Sequence, residues 1–230
     1  MNVLRNFALA TLTVAAIATA ALAADTFSLK RTAKLGEEIK FRFNAELAFG
    51  DIKIKIRGLN REKVVKVEED GTITIETVQS EVVISTPDGD SPQSEEAKST
   101  TAYAADRTVK TYTMEGSEDV SSSTRLAIVS TIVTPKEPMA VGATWTADLK
   151  ANGKGTYPAK GEYKILGEEK VGKWDTVKVQ IKVVETEGTE KTECSGTVWL
   201  NKADFSTVKE ELTIKNAQFE MAPAPIDIVI

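Results

Sequence analysis

The feature that most constrains this chain is an alternation of apolar and polar residues with a period of two, recurring from one end of the sequence to the other. Neighbouring side chains on an extended strand point to opposite faces, so such alternation marks strands with one buried face. From Thr176 to Val183, for example, Val177, Val179, Ile181 and Val183 share one face and Thr176, Lys178, Gln180 and Lys182 the other. Ile52, Ile54 and Ile56 alternate with Lys53, Lys55 and Arg57, and Ile39, Phe41 and Phe43 with Lys40 and Arg42. Similar patterning predicts strands near 26–30, 62–69, 72–79, 81–85, 107–114, 160–167, 192–200 and 206–215, and a last one at the apolar tail Ile226–Ile230. That is roughly a dozen strands, joined by turns too short for parallel crossovers. Asp70-Gly71 between two β-branched runs reads as a hairpin turn. The expected fold is mainly β, a strongly curved antiparallel sheet or unclosed β-barrel with one short helix.

Two segments break the alternation. Residues 85–101 hold two prolines and almost no apolar side chain, which predicts a mobile loop. Within Ser121–Val133, Leu126, Val129, Ile132 and Val133 fall at helical spacing behind a serine cluster able to supply an N-cap, so a short helix is expected there. Pro135 and Pro138 then end it. The halves on either side, about 25–115 and 139–230, share a pattern. Leu35-Gly36 is followed by Ile39, Phe41 and Phe43 as Val141-Gly142 is followed by Trp145, Ala147 and Leu149, and Thr72–Ile75 matches Thr176–Val179. Duplication of one curved sheet and the common grammar of antiparallel sheets both account for this.

The start of the chain reads as an export signal. Arg5 precedes a run of small and apolar residues from Phe7 to Ala24 that ends in Ala21-Leu22-Ala23, as a basic n-region, an h-region and an A-x-A cleavage site do. Residues 1–24 are therefore expected to be removed, leaving 25–230 as a single β-rich domain in the periplasm or outside a bacterial cell, with no transmembrane anchor. Cys194 is the only cysteine, so no intrachain disulfide can form, and its parity with Val198 and Leu200 predicts a buried thiol.

Composition removes several function classes. There is no histidine, the commonest general base and metal ligand, and the net charge of −5 offers no excess of cations for a nucleic-acid backbone. Ser206 and Lys209 have the spacing of a serine–lysine pair, yet strand parity points them to opposite faces. Asp88-Gly89-Asp90 begins like a calcium loop, then has Pro92, Gln93 and Ser99 where a ligand, a glycine and a bidentate Glu are needed. The adjacent acidic pairs, such as Glu168-Glu169 and Glu210-Glu211, face opposite ways on a strand. No catalytic residue, metal ligand or cofactor is expected, and the protein is read as a non-enzyme.

The remaining candidates are the tryptophans Trp145, Trp174 and Trp199, all in the second half. Trp199 opposes Val198 and Leu200 in parity, so it either packs under the helix or lines a second, partly exposed apolar face. The hairpins over Gly161 to Glu211 resemble those of secreted bacterial β-rich domains of unknown function. The strand end Thr197-Val198-Trp199-Leu200-Asn201-Lys202 is similar to late strands of the periplasmic lipoprotein-carrier superfamily. That resemblance implies an unclosed β-barrel with helices over an apolar cavity, and a lipid or lipoprotein acyl chain as ligand. The alternative expectation is an envelope interaction module that offers a sheet edge or loop to a protein partner, with no small ligand.

Overall fold

A computed structural model describes residues 25–50, 52–153, 155–219 and 224–230. The expected leader, residues 1–24, lies outside the described residues. In chain order the elements are β1 (Thr26–Phe27), β2 (Glu38–Phe49), β3 (Ile52–Val67), β4 (Ile73–Thr86), β5 (Gly89–Pro92), β6 (Ala97–Tyr103) and β7 (Val109–Met114), then α1 (Ser121–Val129). There follow β8 (Met139–Ala140), β9 (Thr144–Leu149), β10 (Ala159–Val171), β11 (Trp174–Glu185), β12 (Glu193–Asn201), β13 (Thr207–Ala217) and β14 (Ile226–Val229).

Twelve strands form one antiparallel sheet that does not close into a barrel, in the order β7-β6-β4-β3-β2-β14-β13-β12-β11-β10-β9, with β5 beside β4. β1 and β8 pair separately. Each half is a meander, and both advance across the sheet in the same sense. The matched sequence patterns fall on corresponding strands, β2 with β9 and β4 with β11. β14 joins the halves, pairing with β13 on one side and β2 on the other.

The sheet differs from the sequence reading in three places. Residues 52–57 and 62–69 belong to one strand, β3, as 72–79 and 81–85 belong to β4; bulges near Gly58 and Val64 bend them without ending them. The segment 85–101, expected to be a loop, is largely strand, because β5 and the start of β6 pair end to end along one edge of β4. Its side chains are mostly exposed, and ladder pairing uses backbone groups that polar composition does not reveal. The helix ends at Val129 rather than Val133. Beyond it the Thr131 and Val133 carbonyls accept from Tyr163 Oη at 3.1 Å and Trp145 Nε1 at 2.8 Å, holding a β-branched run extended. The serine cluster provides no cap; Asp119 Oδ1 instead accepts from the Ser121 N–H at 2.8 Å.

The main core lies on the concave face of the second half. Val177, Val179, Ile181 and Val183 alternate into it as the pattern requires, with Ile165, Leu212 and Ile214 beside them. Ile128, Val129, Ile132 and Val133 cover them from above. The helix is fixed by a buried ion pair: Arg125 Nε and Nη2 donate to Glu185 Oε1 and Oε2 at 2.8 and 2.6 Å. Gln218 Oε1, at 2.6 Å, and Thr192 Oγ1, at 3.0 Å, accept the remaining guanidinium donors. Such a pair offsets its desolvation only when its lone pairs and protons are met, as here. The first half has only a small cluster, Val64, Ile73 and Ile75 with Ala33 and Tyr103. The outer edges approach each other after β9, where Asn152 Nδ2 donates to the Val109 and Lys110 carbonyls of β7 at 3.1 and 2.6 Å.

Candidate functional site

A cleft of about 600 Å³ opens where the helical cover stops and the first half begins. Its apolar wall comes from alternate residues of β2 and β4, which flank β3: Phe41 and Phe43, then Ile73 and Ile75, with Ile132 and Val208 also lining it. Phe43 lies over Gly58, its cross-strand partner; a Cβ at Gly58 would meet the ring at 2.7 Å. The glycine thus leaves room for the ring to lie flat along the wall.

The floor is charged. Arg31, Glu62, Tyr103, Arg107 and Glu210 line the cleft, yet neither carboxylate forms an ion pair within 4.0 Å among the described residues. Arg107 Nη1 donates to the Phe205 carbonyl at 2.8 Å, and both residues have positive φ, 72° and 56°. Such conformations persist where the surroundings over-determine them. Arg31 is tied to Glu37 at 3.4 Å, while its buried Nε and the buried Asn60 Oδ1 have no hydrogen-bond partner.

Glu210 is exposed to solvent on β13, while the cleft lining crowds its carboxyl. Loss of hydration, reinforced by repulsion from Glu62 and opposed by Arg107, pushes its carboxyl up to about 7. Burial raises Glu62 as well, against the pull of Arg31 and Arg107. Burial likewise lowers Arg107 to about 10 and pushes the Tyr103 phenol up to about 12. The cleft therefore combines an apolar wall with ionisable groups held apart from one another.

None of the three tryptophans singled out by sequence lines this cleft, and they do not come together. Trp145 is buried beneath the segment after the helix, stacked on Tyr163 with ring centroids 5.1 Å apart. Trp174 is exposed on the β10–β11 hairpin, in an open hollow whose charged walls include Glu168, Glu169, Lys173 and Lys202. Trp199 is on the face opposite Val198, as parity requires, and away from the helix. Lys178 and Lys209 cover its ring at 4.8 and 4.5 Å, and its Nε1 donates to Glu169 Oε2 at 2.9 Å. It is buried by lysine stems, a cover that apolar patterning does not register.

The other sequence motifs have local partners. Ser206 Oγ donates to Asp204 Oδ1 at 2.7 Å, whereas Lys209 turns to Glu211 and the Trp199 ring. Asp90 Oδ2 accepts from Arg57 Nη2 at 2.8 Å. Cys194 is buried, and burial pushes its thiol up to about 12. Among the described residues no three His, Cys, Asp or Glu side chains are grouped to hold a metal ion, and no helix is long and apolar enough to cross a membrane. The functional residues that sequence reasoning missed are those of the cleft, since nothing local marks Phe41, Phe43, Glu62, Arg107 and Glu210 as neighbours. No protein family, curated protein or solved structure matches this chain.

Proposed function

We propose that this chain is a non-enzymatic, exported binding protein that holds an apolar ligand in the cleft between its two half-sheets. The observation that carries this reading is the wall of Phe41, Phe43, Ile73, Ile75, Ile132 and Val208 around about 600 Å³ of space. Concave apolar surface with a few polar groups is the usual make-up of a ligand site. Export rests on the leader-like residues 1–24. An acyl chain or other lipid is one occupant of suitable chemistry. A second reading, an interaction module in the cell envelope, is favoured by β7 and β9, the outer strands of the sheet, each paired with one neighbouring strand among the described residues.

The test is fluorescence of N-phenylnaphthylamine with the protein lacking residues 1–24. Saturable enhancement that Phe43→Arg abolishes, with the circular dichroism of the fold retained, supports the reading. Absence of any enhancement, together with native mass spectra showing no bound mass on protein purified from its own envelope, overturns it.

A further inference from the structure

The cleft is graded from apolar to charged along its length. On β2 and β3 the cross-strand pairs are Phe43 with Gly58, Phe41 with Asn60 and Ile39 with Glu62. Residues directly opposite on neighbouring strands share a face, so these pairs make one inward row about 14 Å long. It begins at the Phe43 ring and ends at the Glu62 carboxyl. Near Glu62 stand Arg31, from the segment between β1 and β2, and Arg107, from the turn between β6 and β7. Tyr103 at the end of β6 and Glu210 on β13 complete that end of the cleft.

Two arginines and two carboxylates thus share a small space, where groups of opposite charge ordinarily pair. Among the described residues Glu62 and Glu210 have no cation within 4.0 Å. Arg107 donates to the Phe205 carbonyl, and Glu37 reaches Arg31 only at 3.4 Å, through Nη2. The Arg31 side chain is 9% exposed, and its Nε is buried without a hydrogen-bond partner. An unmatched donor on a buried cation calls for an acceptor. Asn60 Oδ1, opposite Phe41 in the same row, is likewise buried and unmatched.

The balance of charge says which kind of acceptor fits. Burial favours the protonated form of both Glu62 and Glu210, whereas Arg107, at about 10, stays a cation at neutral pH. The other charged residues bordering the cleft, Arg42, Lys209 and Glu211, are exposed and add two cations against one anion. The charged end is therefore short of negative charge, and it adjoins a wall that takes hydrocarbon.

We infer that the ligand of this cleft is a single-tailed carboxylic acid, its chain laid along Phe43, Phe41, Ile73 and Ile75 and its carboxylate held by Arg31 and Arg107. The inference rests on the reading of the cleft as an apolar binding site and names the headgroup. A carboxylate accepts from the edge of a guanidinium through both oxygens. A protonated Glu62 or Glu210 donates to the same group, whereas a phosphate monoester brings nearly two charges into a space that also holds two carboxyls. An apolar wall alone prefers an alcohol of equal length, because desolvating an ion costs more than desolvating a hydroxyl. A preference for the acid therefore reports on the arginines.

The experiment measures displacement of N-phenylnaphthylamine from the protein lacking residues 1–24 by decanoate, 1-decanol and decylamine at neutral pH. Decanoate is expected to displace the probe at a concentration at least about tenfold lower than either of the others. Arg31→Gln is expected to abolish that preference and leave the 1-decanol midpoint unchanged. Glu37→Gln, which frees Arg31 from its neighbour, should retain it. Equal displacement by acid and alcohol, or tighter binding of the amine, overturns the carboxylate head while leaving the apolar site standing. The comparison among ligands needs no variant, so it decides the matter whether or not a substituted chain folds. A preference for decanoate that survives Arg31→Gln and Arg107→Gln alike overturns the assignment to these arginines. Absence of any saturable probe signal overturns the reading of the cleft itself.

Discussion

The two halves of the sheet use the same strand grammar and differ in what lies on their concave faces. In the second half, α1 and the extended segment after it cover Val177, Val179, Ile181 and Leu212, and the buried Arg125–Glu185 pair fixes the cover in place. In the first half Ala45, Leu47, Phe49 and Val109 reach the edge of that core, but beyond them the face has a small cluster of Val64, Ile73 and Ile75 with Ala33 and Tyr103, and Phe41 and Phe43 line the cleft. Alternation specifies which residues face inward; it does not specify whether anything meets them there. The same pattern thus yields a core in one half and an uncovered apolar wall in the other.

That contrast can be broken first at its anchor. Arg125→Met leaves the Glu185 carboxylate buried without its cation, and the expected cost is about 3–5 kcal/mol of unfolding free energy, read from urea denaturation. Amide exchange should then quicken in the second half before the first. A loss below about 1 kcal/mol would show that the helix is held by apolar contacts alone. The contrast is sharpened by matched truncations. Ile181→Ala, in the covered half, is expected to cost about 3 kcal/mol, and Ile54→Ala, half-buried on the open face, about 1 kcal/mol. Equal costs would mean that the open face is covered in solution.

The smallest effect concerns the cleft floor. Glu210 has a folded-state pKa of about 7, above its ordinary value, so between about 4.5 and 7 the folded chain holds protons that the unfolded chain has released. Stability should therefore fall as pH rises through that window and level off above it. Glu210→Gln should flatten the slope, measured as the change in urea midpoint between pH 5 and pH 8. A slope unchanged by the substitution would assign the titration to another group, with Glu62 the first to examine.

How much of this was legible in the sequence follows from where each residue's partners come from. The strands of the second half are plain because each buries one face under a local cover, so Val177–Val183 alternates without a fault. β5 and β6 are hidden because β5 leaves its side chains in water and β6 is a polar, mostly half-buried strand with no apolar alternation. Ile226–Ile230 read correctly as a strand, but its place between β2 and β13 depends on partners from opposite ends of the chain, which no local period records. The tryptophans stand out by their size, whereas the cleft is built from Phe41, Phe43 and Glu210, ordinary alternating positions that only the packing of distant strands brings together. Trp199 illustrates the converse, an aromatic residue shielded by Lys178 and Lys209 instead of by a ligand.

The position of β14 also sets an order of assembly. Every neighbouring pair within either meander is local in sequence, so both halves can zip from hairpin to hairpin as the chain emerges. The seam between them needs residues 46–48 and 227–229 at once, the largest loop closure in the molecule. Until that closure, β2 and β13 each present a long bare edge, open to any passing strand. Folding would then proceed through a two-winged intermediate whose sticky margins are sealed last.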